Sequence, residues 1–201
     1  MKTVTICYSF LKKYMNKESI LITGFSPFLT NKINPTEKIV AYFASKGYKT
    51  KVFDVDYKKV DAGLKEILAN DKDIKFVISL GLASNRKKIS VEQYAYNECN
   101  TLIPDNSGYI PEAGKIDDKK PASLESNINI DDLVKSVTVQ SYRTYVSHDP
   151  GRYLCNYIYF KALSALNGNA VFVHFPLCTT DEEYSYAIKV TSIIVEQLLN
   201  Y

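Results

Sequence analysis

Cys155, His174 and Glu92 are the side chains of this sequence whose chemistry and placement suit them to act together. A thiol becomes a strong nucleophile when a base takes its proton, and an imidazole serves as that base when a third group fixes its tautomer and orientation. Cys155 follows the Asp149-Pro150-Gly151 turn and falls in the first turn of a helical stretch, YLCNYIYFKALSAL. There, unpaired backbone N–H groups and the helix dipole favour a thiolate. His174 ends the strand AVFVH, and Phe175-Pro176 stop the ladder and leave the imidazole at the strand's exit. Glu92 lies in RKKISVEQYAYN, beyond a strand that ends at Gly81. Plainer roles are open to each: a helical Cys as packing, a strand-end His as a half-buried polar group, a Glu as a solvated charge.

These residues need a scaffold, and the apolar pattern supplies one. ILIT reads as a strand ended by Gly24, and Pro27 and Pro35 keep FSPFLTNKINP irregular. Thr36 stands before a helix in EKIVAYFASKG, where Ile39, Val40 and Phe43 recur at helical spacing and Gly47 gives the left-handed stop. YKTKVFDVDY is a second strand, VDAGLKEILAND a second helix with Leu64, Ile67 and Leu68 on one face, and KFVISLGLAS a buried strand. Alternating strands and helices at short spacing indicate an α/β fold on a largely parallel sheet. From Asn97 to Leu124 the chain is polar and rich in Pro, Gly, Asp and Asn, a loop that is functional or mobile in such a domain. A short helix from Ile130 to Lys135, a strand in SVTVQSY, the Cys155 helix, the strand NAVFVHFP and a closing helix in EEYSYAIKVTSIIVEQLL complete the chain. Ligands in open α/β sheets bind at the carboxyl ends of strands, where Cys155, His174 and Glu92 are delivered.

The chain has 201 residues, enough for one domain with a full core and no covalent staple. Its 25 Lys+Arg against 22 Asp+Glu leave a net charge of +3, too small and too mixed to point to nucleic acid or an anionic membrane. Cys7, Cys99, Cys155 and Cys178 form no C-x-x-C pair, which argues against a disulfide framework and a structural zinc site and for a reducing, cytoplasmic setting. Cys7, Cys99 and Cys178 read as structural or incidental thiols. No apolar run is long enough to span a bilayer. Residues 1–18 read as an N-terminal extension, Lys-rich but without the Arg of a transit peptide, and residues 19–201 as a single catalytic domain.

ILITGFSPFLTNKINPT, GLASNRKKISVEQYAYN, IPDN, SHDPGRYLCNYIYF and VFVHFP, in this order, resemble the pyroglutamyl-peptidase I family of cysteine peptidases. The likeness runs from Ile20 to about Gln197, and the Gly-Arg-Tyr-Leu-Cys run is closest to eukaryotic members. It implies a three-layer α/β/α sandwich with a mixed, largely parallel sheet, and a cofactor-free, metal-free enzyme that removes N-terminal pyroglutamate from peptides. It also implies Cys155 as nucleophile, His174 as base and Glu92 as the group that orients His174. Phe25 and Phe28 would sandwich the lactam ring, Tyr153 and Leu154 would adjoin the nucleophile, and Asn34 would stand at the mouth. Arg86 would support the oxyanion or the surrounding loops. The sequence departs from bacterial relatives at Leu29-Thr30 and at Leu82, where they have Gly-Gly and Gln, so affinity or selectivity for pyroglutamate could differ. His148, next to Asp149, is a chemically possible base with no counterpart in the resemblance. Other readings are a related amide hydrolase of altered specificity and a catalytically weak binder of blocked peptide N-termini. A nucleic-acid binder is remoter, since no basic stripe with stacking aromatics stands out.

Overall fold

A computed structural model describes residues 15–28, 31–138, 140 and 143–200. Its strands are β1 (Ile20–Phe25), β2 (Lys49–Phe53), β3 (Phe76–Leu82), β4 (Ile89–Glu92), β5 (Tyr94–Tyr96), β6 (Ser123–Glu125), β7 (Thr144–Ser147) and β8 (Ala170–Phe175). The α-helices are α1 (Pro35–Ser45), α2 (Tyr57–Asn70), α3 (Ile130–Thr138), α4 (Leu154–Ala165) and α5 (Asp181–Asn200). Six strands form one sheet in the order β2-β1-β3-β8-β4-β7, while β5 and β6 pair separately. All neighbours in the large sheet are parallel except β4 and β8, which makes the sheet mixed. The central strands are buried along almost their whole length, as unbroken apolar runs such as ILIT and FVISL require. The edge strand β2, KTKVF, is largely uncovered and carries the lysines that discourage edge pairing with another chain.

Side chains on a strand alternate between its two faces, and this parity sets up the site. Ile20 and Ile22 of β1, Ile78 and Leu80 of β3, Ile89 and Val91 of β4, and Val171, Val173 and Phe175 of β8 pack in one core with α1, α3 and α5. Leu21, Val77, Ala170 and Phe172 pack on the opposite face with α2 and α4. Two cores on the two faces of one sheet give the three-layer α/β/α sandwich. The same alternation assigns Gly81, Ser90, Glu92 and His174 to the α2/α4 face.

Several local expectations change. Gly24 and Gly81 lie inside strands and do not end them, because each is a point of close approach. A Cβ on Gly24 would sit 2.9 Å from Thr36 Oγ1, and one on Gly81 would sit 2.7 Å from Phe172 Cζ. Asn34, and not Thr36, caps α1, accepting the Thr36 N–H on its side chain with Pro35 in the first turn. Thr36 is buried and its hydroxyl accepts from the Phe25 N–H at 2.9 Å. The stretch SVTVQSY is no strand over Ser136–Thr138: α3 continues there because Ile130, Leu133, Val134 and Val137 share one buried helical face, which outweighs the S-V-T-V alternation. Val139, Ser141 and Tyr142 lie outside the described residues, and the strand expected there begins at Thr144. The segment around Glu92 forms β4 and β5. The polar loop after Asn97 is tied down by the β5/β6 pair, by a Cys99–Gly114 bridge and by Asn97 Nδ2, which donates to the Asp117 and Lys120 carbonyls. Met15 packs on the core and Asn16 caps a 3-10 turn at Lys17–Ser19, whereas residues 1–14, including Cys7, lie outside the described residues.

Candidate active site

The site forms where β3, β8 and β4 run side by side beneath the start of α4. His174 pairs in register with Gly81 on one side and with Ser90 on the other. Glu92 is therefore one same-face step along β4 from the residue opposite His174. Its Oε1 lies 2.8 Å from His174 Nδ1. Glu92 is fully buried and His174 is only 4% exposed, so the pair is shielded from water. With Nδ1–H donating to the carboxylate, the other ring nitrogen, Nε2, is the acceptor that remains.

Glu92 is fixed from several directions. Arg86 Nη1 donates to Oε1 at 2.5 Å, Ser90 Oγ donates to it at 3.3 Å, and the Tyr159 hydroxyl donates to the Glu92 carbonyl at 3.0 Å. Arg86 also donates to Ser90 Oγ, and through Nη2 to the Asp149 carbonyl at 2.9 Å. It thereby ties the strand bearing Glu92 to the turn that leads into the Cys155 helix. Glu92 Oε2 has no hydrogen bond among the described residues, and Ser147 is the residue opposite Glu92 on β7.

Cys155 occupies the first turn of α4 directly above Gly81, whose Cβ, if present, would lie 3.1 Å from Sγ. Gly81 is the register partner of His174, so the thiol lies over the strand beside the one that carries the imidazole, and both face the same pocket. Tyr153, which starts the helix, makes no side-chain cap. First-turn N–H groups without a side-chain acceptor are suited to hold developing negative charge.

The electrostatics favour a neutral resting pair. Burial pushes the Cys155 thiol up to about 12, the Glu92 charge adds to this, and Arg86 and the thiol's own backbone N–H only partly offset it. Burial also lowers His174 below the usual histidine range despite the hydrogen bond and charge of Glu92, with Arg86 acting in the same direction as burial. Glu92 is pushed up by burial, yet the His174 hydrogen bond and charge, with Ser147 and Arg86, hold it below the usual carboxylate range. Desolvation thus opposes the helix-start preference for a thiolate.

A pocket of about 480 Å³ opens over these groups. Its walls include Phe25, Phe28, Asn34, Arg86, Tyr153, Leu154, Cys155 and His174, which brings together every expected site residue except Glu92, held behind His174. Phe28 and Tyr153 stack with ring centroids 5.1 Å apart. Phe25 belongs to the core as well as the wall. Asn34 lines the wall while its amide is engaged in the α1 cap and in a 3.1 Å bond to the Ser26 carbonyl. Leu82 also lines the pocket, and Leu29 and Thr30 lie outside the described residues. His148 is exposed and is not part of the wall, and its carbonyl accepts from Tyr96 OH.

Sequence pattern alone gives Ser90 and Tyr159 no part in the site, and it marks Gly81 only as a strand end and Asn156 only as part of a motif. Asn156 is fully buried and clamps β5 to α4, accepting from Tyr96 N at 2.7 Å and donating to the carbonyls of Tyr96 and Glu98. The signal was present, since an Asn inside the apolar run YLCNYIYF must find partners.

The family model described as pyroglutamyl peptidase matches residues 18–198. The chain belongs to the pyroglutamyl peptidase family. It is 36% identical over 169 residues to the pyrrolidone-carboxylate peptidase of Thermococcus litoralis, covering 79% of this chain and 76% of that protein. The enzyme of the same name from Oceanobacillus iheyensis is 34% identical, covering 86% and 92%. The solved structure of the pyrrolidone carboxyl peptidase of Thermococcus litoralis superposes with a TM-score of 0.82 at 31% identity, covering 92% and 94%. That of Fervidobacterium islandicum gives a TM-score of 0.83 at 26% identity, covering 90% and 98%. These relatives are archaeal and bacterial and give no support to a special eukaryotic likeness. Among the described residues no helix is long and apolar enough to cross a membrane, and no cluster of His, Cys, Asp and Glu could hold a metal ion.

Proposed function

We propose that this chain is a cysteine exopeptidase that cleaves the amide bond after an N-terminal pyroglutamyl residue. The observation that carries the reading is a thiol, an imidazole and a carboxylate gathered on one face of the sheet, at the floor of a pocket with aromatic walls. Pyroglutamate is a neutral lactam with apolar ring faces and no ammonium group. Phe25, Phe28 and Tyr153 offer flat surfaces for it. The carboxylate at the pocket wall among the described residues, Asp149, is mostly exposed and already bonded through Oδ1 to Arg152 at 2.6 Å and to Gly151 N at 2.9 Å, so it is a weak site for a cationic N-terminus.

His174 Nε2 takes the Cys155 proton as sulfur attacks the pyroglutamyl carbonyl carbon. The resulting imidazolium is stabilised by Glu92, and the α4 first-turn N–H groups receive the oxyanion. Collapse of the tetrahedral intermediate breaks the C–N bond as His174 protonates the departing amine. Water then loses a proton to His174, attacks the thioester, and releases pyroglutamic acid and the thiol. Arg86 acts as a loop tie that orients Glu92, since Nη1 holds Ser90 and Glu92 while Nη2 holds the Asp149 carbonyl.

The test compares the reduced protein with its Cys155→Ala variant on a pyroglutamyl fluorophore amide and on plain aminoacyl amides. Release confined to the pyroglutamyl compound and lost in the variant is expected. Release from aminoacyl amides instead would turn attention to Leu82 in the pocket wall and to an altered specificity.

A further inference from the structure

Large apolar side chains left open to water are concentrated around one feature of this protein. Of the seven exposed large hydrophobics among the described residues, five are Ile33, Leu102, Ile103, Tyr109 and Ile110. All five come from two loops at the mouth of the Cys155 pocket. Ile33 lies between Asn31 and Asn34, both of which line the pocket, and Ile103 lines it directly. The second loop is strapped onto the same wall: the Pro104 carbonyl accepts from Tyr153 OH at 3.1 Å and Asn106 N donates to the Val55 carbonyl at 2.8 Å. Asn106 Nδ2 donates to the Pro27 carbonyl at 3.1 Å, joining the two loops. Tyr109 packs edge-on against Tyr57, which packs edge-on against Tyr153. Leu102 is 92% exposed, on a loop whose backbone is otherwise anchored.

We infer that this apolar collar binds the peptide downstream of pyroglutamate and gives the enzyme a preference for apolar residues at the positions following it. The inference rests on the activity proposed above. Apolar surface gathered at one place and rimming a pocket is a recognition surface rather than the scatter that any protein shows. At about 480 Å³ the pocket also falls in the size range that takes ligands much larger than one five-membered ring, so pyroglutamate and the start of the next residue fit within it and the peptide that follows passes the mouth. The two charged side chains of the wall among the described residues are paired with groups behind or beside it, Arg86 with Glu92 and Asp149 with Arg152. The charges beside the collar are solvated and of both signs: Lys32 is exposed beside Ile33, Lys58 lies over the Tyr109 ring, and Glu112 is exposed two residues beyond Ile110. Solvated charges of this kind are worth little in water toward either a basic or an acidic peptide side chain, which leaves the apolar surface to select.

The experiment measures kcat/KM of the full chain on C-terminally amidated pyroglutamyl peptides carrying Gly-Gly, Leu-Leu, Lys-Lys or Glu-Glu after the pyroglutamate. Leu-Leu is expected to exceed Gly-Gly by about five- to tenfold. In a Leu102→Ser/Ile110→Ser double variant, whose positions lie outside the pocket wall, that ratio should fall to near one because Leu-Leu turnover drops more than Gly-Gly turnover. A Glu-Glu preference would assign recognition to the lysines and overturn the inference. So would a variant that slows all four peptides equally, or one that turns a dimer into a monomer in sedimentation with the ratio intact, which would make the collar a contact between copies. No turnover of any pyroglutamyl peptide by the parent protein would instead defeat the activity itself, and this inference with it.

Discussion

Gly81 supports Cys155 from below: a methyl group at position 81 would lie 3.1 Å from the sulfur and 2.7 Å from Cζ of the fully buried Phe172. The absence of a side chain is what lets the nucleophile descend to the level of the sheet, next to the strand that carries His174. Gly81→Ala should therefore damage both stability and catalysis. Overpacking of this kind costs about 1–3 kcal/mol, and a nucleophile lifted away from its base should slow turnover tenfold or more. Urea titration and kcat on a pyroglutamyl amide would check this, and an alanine variant with parental kcat would show that the sulfur has room to spare.

Replacing Glu92 by Gln keeps the volume and an acceptor for the His174 N–H but removes the charge that stabilises the imidazolium. The expected loss in kcat is about 10²- to 10⁴-fold, with KM little changed because Glu92 lies behind His174 and outside the pocket wall. Arg86 would also lose its carboxylate partner, so the melting temperature should fall. Arg86→Met in the Glu92→Gln background should recover part of that stability without recovering kcat. Full activity in Glu92→Gln would remove the carboxylate from the mechanism.

The sequence pointed to Cys155, His174 and Glu92 as the proposed catalytic groups because each falls at an element boundary marked by a turn, a proline or a motif. What it hid was the packing that makes those residues neighbours. Gly81 reads as a strand end in KFVISLGLAS, since a glycine required by the proximity of α4 looks the same in one dimension as a glycine that stops a ladder. Ser90 and Glu92 are on β4, whose I-S-V-E alternation is too short to stand out, and its antiparallel pairing with β8 is a long-range event that no local pattern announces. SVTVQSY shows the opposite case, since its genuine local alternation is overridden by a buried helical face that packs against β7, α5 and β4.

Acid should destabilise the fold in two steps, and the sign follows from the direction of each shift. His174 titrates lower in the folded protein than its ordinary value of 6.5, so below that value the unfolded chain takes up a proton that the folded site refuses. Stability falls as pH drops from 6.5 toward the folded value. Glu92, held below its ordinary 4.5, contributes stability that is present above 4.5 and lost as pH falls through its own lower value. Urea midpoints between pH 4 and 8 should decline below about 6.5, and His174→Gln should abolish the first decline. An unchanged midpoint down to pH 5 in the parent protein would mean that His174 is not held neutral by its surroundings.

The resting state of the nucleophile can be read from its alkylation. Two arrangements are chemically available to a Cys–His pair: a thiolate–imidazolium pair already formed at neutral pH, or a neutral thiol beside a neutral imidazole that exchange the proton only as substrate arrives. Burial drives the Cys155 thiol up and the His174 imidazole down, and both shifts favour the neutral pair. Iodoacetamide reacts with thiolate, so the rate at Cys155, followed by mass spectrometry, should rise continuously from pH 6 to pH 10 without a plateau. Cys99 and Cys178, each pushed up to about 11 by burial, should stay slower still because neither lines the Cys155 pocket. A plateau for Cys155 below pH 7 would mean that the helix start and His174 hold a thiolate at rest. The proton transfer would then precede substrate binding, and His174 would act in the first step only as the acid that releases the amine.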